Sequence, residues 1–176
     1  KQPADKCLNL HRLVYLAIRN WLQKEELLAQ LTERAILRLR EVFPDHKHQN
    51  RTVWTKYLAH ASYALESDVA GNDNKARTSL LWKLGMCLYQ EGRWNEAERE
   101  FVQVMKTTKR VLRPEHPDTL TSMNNLSFTW KARGEQAEAL QLIDECVQLS
   151  KRVLGVNHPR FLSSTTLRAW RLEGKG

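Results

Sequence analysis

Apolar side chains recur along this chain at helical spacing, in blocks separated by short polar or glycine-bearing breaks. Leu80, Leu81, Leu84 and Leu88 form one stripe ahead of Gly92, and Ala97, Phe101, Val104, Met105, Thr108, Val111 and Leu112 form another after it. Met123, Leu126 and Trp130 make a third stripe, and Ala139, Leu140, Ile143, Cys146, Val147, Val153 and Leu154 a fourth beyond Gly134. Both glycines stand where the chain must reverse, and a residue without a Cβ reaches the left-handed backbone region most easily. Each pair of stripes therefore reads as helix, tight turn, longer helix, loop.

The two pairs are copies. Shifting the sequence by 42 residues lays 79–120 on 121–162 without a gap, Leu84 on Leu126, Gly92 on Gly134, Glu96-Ala97 on Glu138-Ala139, and "KRVLRPEHPDTL" (109–120) on "KRVLGVNHPRFL" (151–162). Agreement clustered at helix punctuation is the signature of a stacked repeat. Pro117 and Pro159 lack an N–H and fit the first turn of a helix, where that donor has no intrahelical partner. His116 and His158 then fall at helix entries in separate repeats, too far apart to share a metal. Gly155 is a natural helix stop, whereas its counterpart is Arg113 followed by Pro114, so the first joint must end its helix by another route.

Outside the copies the period continues less regularly. "LHRLVYLAIRNWL" places Leu10, Val14, Ala17, Ile18, Trp21 and Leu22 on one apolar side, "EELLAQLTERAILRLREVF" gives a second helix, and "TVWTKYLAHASYALES" a third after the loop "FPDHKHQNR". At the far end "FLSSTTLRAWRLEG" reads as the opening helix of a further unit. The expectation is eight helices in an all-α fold, a right-handed superhelix of antiparallel pairs. Residues 1–78 form irregular pairs leading into full repeats at 79–120 and 121–162 and a partial third at 163–176, all in one continuous solenoid.

Composition narrows the partners. With 41% hydrophobic residues among 176, the chain can bury a substantial core without disulfide or metal. Its 28 Lys and Arg are interspersed with 20 Asp and Glu, so the net charge of +8 is spread along the length. Lys109-Arg110 and Lys151-Arg152 recur at helix ends, where the helix dipole favours cations, and nucleic acid is not an expected partner. Cys7, Cys87 and Cys146 match no paired redox or zinc spacing; Cys87 and Cys146 read as buried filler, consistent with a reducing, cytoplasmic setting. No stretch is long and apolar enough for a membrane span.

Chemistry is sparse. No phosphate loop, zinc-protease helix or nucleophile elbow occurs. His46, His48 and His60 are the one histidine cluster and lack a Cys or a spaced acidic partner, a poor zinc set. Glu91, Glu96 and Glu98 crowd the Gly92 turn but have no matched counterparts one repeat on, and they read as turn and surface groups; Trp94 is expected to pack on its own helix pair. The chain carries no catalytic constellation, so no enzyme activity, cofactor or metal is expected of it.

The long-unit pattern "LGMCLYQEGRWNEAEREF" followed by "KRVLRPEHPDTLTSMNNL" resembles the 42-residue tetratricopeptide repeat of kinesin light chains. The segment from "HRLVYLAIRNWL" to "VWTKYLAHASYALES" resembles the transition into the repeats of fungal receptor-like proteins of the signal-transduction ATPase class. The repeat consensus falls on Leu81, Leu84, Gly85, Leu88, Ala97, Phe101 and Val104, and again on Met123, Leu126, Ser127, Trp130, Ala139, Ile143 and Cys146. Leu88 and Trp130 stand where Tyr is usual, Ser127 replaces Gly or Ala, and "GEQAEA" lacks the usual aromatic. With the inward stripes assigned to the core, Trp82, Lys83, Met86, Tyr89 and Gln90 remain for a concave face in one repeat, and Asn124, Asn125, Phe128 and Lys131 in the next. The resemblance implies that this groove binds a peptide or protein segment. Lys83 and Lys131 suit an acidic one, and the amides suit a peptide backbone. It also implies contact with a nucleotide-binding domain upstream in a parent chain. The same set fits other uses: a face covered by a neighbouring element, a self-associating scaffold, or a regulatory portion of an enzyme whose catalytic domain lies elsewhere.

Overall fold

The computed structural model describes residues 12–66 and 75–154. Seven α-helices follow in order, α1 (Arg12–Lys24), α2 (Leu28–Val42), α3 (Arg51–Glu66), α4 (Lys75–Gln90), α5 (Trp94–Leu112), α6 (Pro117–Ala132) and α7 (Gln136–Leu154), with a 3-10 turn at His48–Asn50 ahead of α3. These are seven of the eight expected helices. The eighth, with Gly155, His158, Pro159 and the partial third repeat, lies outside the described residues, as does Cys7.

The turns form where the sequence places its glycines. Gly92 has φ 74° and Gly134 φ 89°, and a Cβ on either would meet nothing within 4 Å, so the dihedral and not crowding calls for glycine. At the end of α4, Gly92 N–H donates to Tyr89 O and Arg93 N–H to Leu88 O, both at 3.0 Å; at the end of α6, Gly134 donates to Lys131 O and Glu135 to Trp130 O. This paired bonding satisfies carbonyls that the helix end would leave open. The turn from α1 to α2 uses the same bonds, Glu26 to Gln23 O and Leu27 to Leu22 O, with Glu26 rather than a glycine at φ 57°.

His116 caps α6. Its backbone is extended, its Nδ1 accepts from the Asp118 N–H at 3.1 Å, and Pro117 opens the helix. The α5 helix ends without glycine: Arg113 adopts φ 75° and ψ 160°, and its carbonyl accepts the Thr119 hydroxyl at 2.9 Å.

Helices α4 to α7 pack each on the next, and α2 lies against both α3 and α4. One apolar core runs from Ile36, Phe43 and Trp54 through Leu80, Leu84, Leu88 and Phe101 to Met123, Leu126, Ile143 and Cys146. At Gly85 the helices of the first repeat meet closely, since a Cβ there would lie 2.8 Å from Phe101 Cε1. Helix α6 buries hydroxyls, and they are satisfied within the turn: Ser122, Ser127 and Thr129 bond the carbonyls of Thr119, Asn124 and Asn125. The α1 helix differs. Its apolar period is present, yet Leu13 is 68% and Trp21 56% exposed, and Val14, Ala17 and Ile18 are exposed too; Tyr15 reaches α3 through an edge contact with Tyr63, ring centroids 5.6 Å apart.

Candidate protein-interaction surface

The nine residues expected on the concave face all lie outside the fully buried class; Gln90 is exposed and the other eight are half-buried. Trp82, Lys83, Met86 and Tyr89 on α4 stand one repeat before Asn124, Asn125, Phe128 and Lys131 on α6, but their surroundings differ.

On α4 the face is engaged by the preceding element. Lys83 Nζ donates to Arg40 O at 2.8 Å and Phe43 O at 2.9 Å, capping the C-terminal end of α2. A cation there meets the negative end of the helix dipole and carbonyls that lack intrahelical donors. Lys83, expected as a cation for an acidic ligand, spends two of its ammonium donors on the fold. His46, from the loop after α2, sets its ring edge-on to Trp82 with centroids 5.9 Å apart. Arg51 closes the top of the same layer through two bonds to the Glu91 carboxylate, 2.7 and 3.0 Å, which hold that carboxyl below its usual pKa. Trp82, Met86 and Tyr89 pack against the apolar core.

On α6 the face is less committed. Phe128 packs on the core, while Asn124 Oδ1 and Asn125 Nδ2 are fully covered and have no hydrogen-bond partner among the described residues. A covered amide group without a partner is costly and rare. Lys131 takes part in an interaction of its own.

The carboxylates near the Gly92 turn divide. Glu96 bonds Arg93 at 2.6 Å on the surface, as its position suggests. Glu98 departs from that reading: it accepts from Trp130 Nε1 at 2.6 Å and pairs with Arg133, which also meets Glu135 at 2.9 Å, joining α5 to the end of α6. Trp94 is 39% exposed and is not the packed residue expected of it. Burial pushes the Cys87 thiol up to about 12, leaving an inert, protonated side chain. Among the described residues no three His, Cys, Asp or Glu side chains gather to hold a metal, and no helix is long and apolar enough to cross a membrane.

The tetratricopeptide repeat family matches at residues 83–118 and 119–160. Residues 83–160 carry two tetratricopeptide repeats. These two matched repeats run from the middle of α4 through α7, and the fold agrees. Crystal structures of a kinesin light chain-type protein of Podosopora anserina with nearly identical TPR-like repeats superpose with TM-scores of 0.56 and 0.55. They cover 90% of this chain and 84–85% of theirs at 20% identity. In sequence the chain is 36% identical over 117 residues to a nucleotide-binding leucine-rich repeat (NLR)-like protein of Hyaloscypha variabilis, which is 66% of this chain and 12% of that protein. It is 28% identical over 92 residues to the Arabidopsis thaliana protein KINESIN LIGHT CHAIN-RELATED 2, 50% of this chain and 14% of that one. The repeat departures fit their contacts: Leu88 is buried where a Tyr is usual, and Trp130 at the same position of the next repeat uses its indole N–H on Glu98.

Proposed function

We propose that this chain is a protein- or peptide-binding repeat module, the sensor or regulatory part of a larger nucleotide-binding switch protein. The likeness to the NLR-like protein, of which the chain spans 12%, supports the second half of that reading. The first half rests on one observation, the unpartnered Asn124 Oδ1 and Asn125 Nδ2 beside Phe128. One offers an acceptor and the other a donor, the pair that an extended backbone can satisfy once the side chains that cover them move aside, with Phe128 as apolar contact. With Lys83 held by α2, recognition is centred on α6 and reads peptide backbone more than peptide charge. A partner seated there changes how the repeats pack on a nucleotide-binding domain upstream. A cytoplasmic setting suits the buried thiols of Cys87 and Cys146, neither of which is joined in a disulfide.

A peptide array probed with the folded chain tests this. Peptides captured by the native chain are expected to lose about tenfold in affinity with Asn124→Leu or Asn125→Leu, the effect of one buried hydrogen bond, and little with Lys83→Met. Equal capture by native and Asn-substituted chains would refute the α6 site. The exposed apolar face of α1 favours a second reading, self-association, and light-scattering mass across concentration separates the two: a constant monomer excludes it.

A further inference from the structure

Large apolar side chains left in solvent gather on the first helix. Leu13, Val14, Leu16, Ile18 and Trp21 of α1 are all exposed, whereas α6 exposes no such residue and the described part of α7 exposes only Val153. Helical spacing sorts those on α1. Val14, Ala17, Ile18 and Trp21 stand at i, i+3, i+4 and i+7 with Leu13 alongside, one continuous stripe, and every one of them is exposed. Tyr15 and Leu22, the half-buried residues of the helix, lie on the opposite side, where Tyr15 meets Tyr63 of α3. The helix is thus held to its own fold by a narrow edge and leaves the wider apolar face outside.

The stripe is shaped to meet a copy of itself. It carries no charge between Leu13 and Trp21, and Arg19 projects from the far side of the helix, so neither an acidic nor a basic segment is selected. Its residues are disposed about Ala17, with Leu13 four positions before and Trp21 four positions after. Two such helices laid antiparallel bring Ala17 onto its counterpart, where the small side chain permits close approach, and set each Trp21 on the other copy's Leu13 and each Val14 beside the other copy's Ile18. No like charges face each other across this contact. The interaction Leu13 already makes is its backbone's, since its side chain has no polar atom or ring. Because Tyr15 and Leu22 point the other way, the bodies of the two copies stand clear of each other.

We propose that α1 is a dimerisation helix, packing antiparallel on the α1 of a second copy of this chain. The proposal rests on the self-association reading above and names its surface. The contact is isologous and closes at two copies; a head-to-tail array would need a second apolar stripe, and the described residues of α6 and α7 expose none. The α6 amides lie on another helix, so a peptide site there stands whether or not the dimer forms.

The test is the mass of the folded chain by sedimentation equilibrium from about 1 µM to about 1 mM, a range that brackets the weak association of a small, single-helix interface. Expected is a monomer–dimer equilibrium with no larger species. Trp21→Ala should raise the dissociation constant about 30-fold or more, the loss of an aromatic anchor, whereas Trp94→Ala, which removes the exposed Trp of α5, should leave it unchanged. Both side chains are exposed, so the variants fold, and a melting curve verifies it. In a Cys7→Ser background, Ala17→Cys should cross-link two copies when oxidised with glutathione disulfide, because axes about 8–10 Å apart bring that position within disulfide reach of itself. Arg19→Cys, on the far side, should not, and Cys87 and Cys146 are buried. A monomer at every concentration would overturn self-association itself and leave the stripe to another part of a parent chain. A dimer that Trp21→Ala leaves intact, that Trp94→Ala weakens equally, or that Ala17→Cys fails to cross-link would overturn this surface while self-association stands.

Discussion

In the first repeat Gly85 faces Phe101; at the same two positions of the second stand Ser127 and Ile143, both buried. The larger ring goes with the missing side chain and the smaller Ile with the larger Ser, so one helix-pair geometry is kept by two size pairings. The polar positions differ more. Arg77 and Lys83 reach from α4 to carbonyls of α3 and α2, where the second repeat has Thr119, bonded to the carbonyl of Arg113 at the end of α5, and Asn125, whose amide nitrogen is unpartnered. At these two positions the first repeat reaches an irregular pair of helices with long charged side chains, and the second carries short polar ones. A repeat position dictates which way a side chain leaves the helix, and the preceding element dictates how far it must reach.

The size pairing is the most sensitive point. Gly85→Ala puts a Cβ 2.8 Å from Phe101 Cε1, and the ring must move within a packed interior. The expected loss is about 2–3 kcal/mol of unfolding free energy by overpacking, measured by urea denaturation. Adding Phe101→Ile, the residue of the second repeat, should recover about half or more of it through coupling of neighbours. Additive losses in the double variant would show that the two pairings are unrelated.

Next in size is the lysine that ties α4 to α2. Lys83→Met removes a charged donor from Arg40 O and Phe43 O, and about 1.5–2 kcal/mol of stability should go with it. The loss should be local: amide exchange of α2 accelerates while α6 keeps its protection. Equal acceleration in both would contradict the division between a braced first repeat and an independent second. Glu100 tests the same division by pH. Its counterpart is the buried Leu142, and burial pushes the Glu100 carboxyl up to about 7, with Glu66 and Glu96 adding to the effect and Arg99 and Arg77 opposing it. The folded chain therefore holds this proton more tightly than the unfolded chain does. Its destabilising contribution is absent below about pH 4.5, grows as pH rises towards 7, and is constant above. Glu100→Gln should raise stability by about 1–2 kcal/mol at pH 8 and leave it unchanged at pH 4.

Most of the fold was legible because apolar spacing and two glycines encode helix length and turn geometry locally. The α1–α2 turn was hidden: it makes the same bonds as the glycine turns, but Glu26 sits at the left-handed position, and nothing in "QKEELL" announces it. The candidate face was legible as positions and illegible as chemistry. The 42-residue shift placed Lys83 beside its equivalent Asn125, yet whether a cation there is free depends on α2, which the repeat does not describe. The loop "FPDHKHQN" carried the available signal, since a long connection next to a half-buried Lys offers carbonyls for it. Glu98 was misread for a related reason: its partners Trp130 and Arg133 lie more than 30 residues away and belong to the next repeat.

The smallest expected effect concerns how the two repeats end their second helices. Arg113 holds φ 75° and ψ 160°, a region open to glycine and strained for a residue with a Cβ, while the sequence puts Gly155 at the equivalent place. The joint uses only the backbone of Arg113: its carbonyl accepts from the Thr119 hydroxyl and, at 3.3 Å, from the His116 N–H. Arg113→Gly keeps both bonds and relieves the strain, against a larger loss of chain entropy on folding. The net gain should be about 0.5–1 kcal/mol, a rise of roughly 2–4 °C in the melting midpoint. A fall in the midpoint would mean that the arginine side chain itself braces the joint, and that the two repeats end by different physics despite their common register.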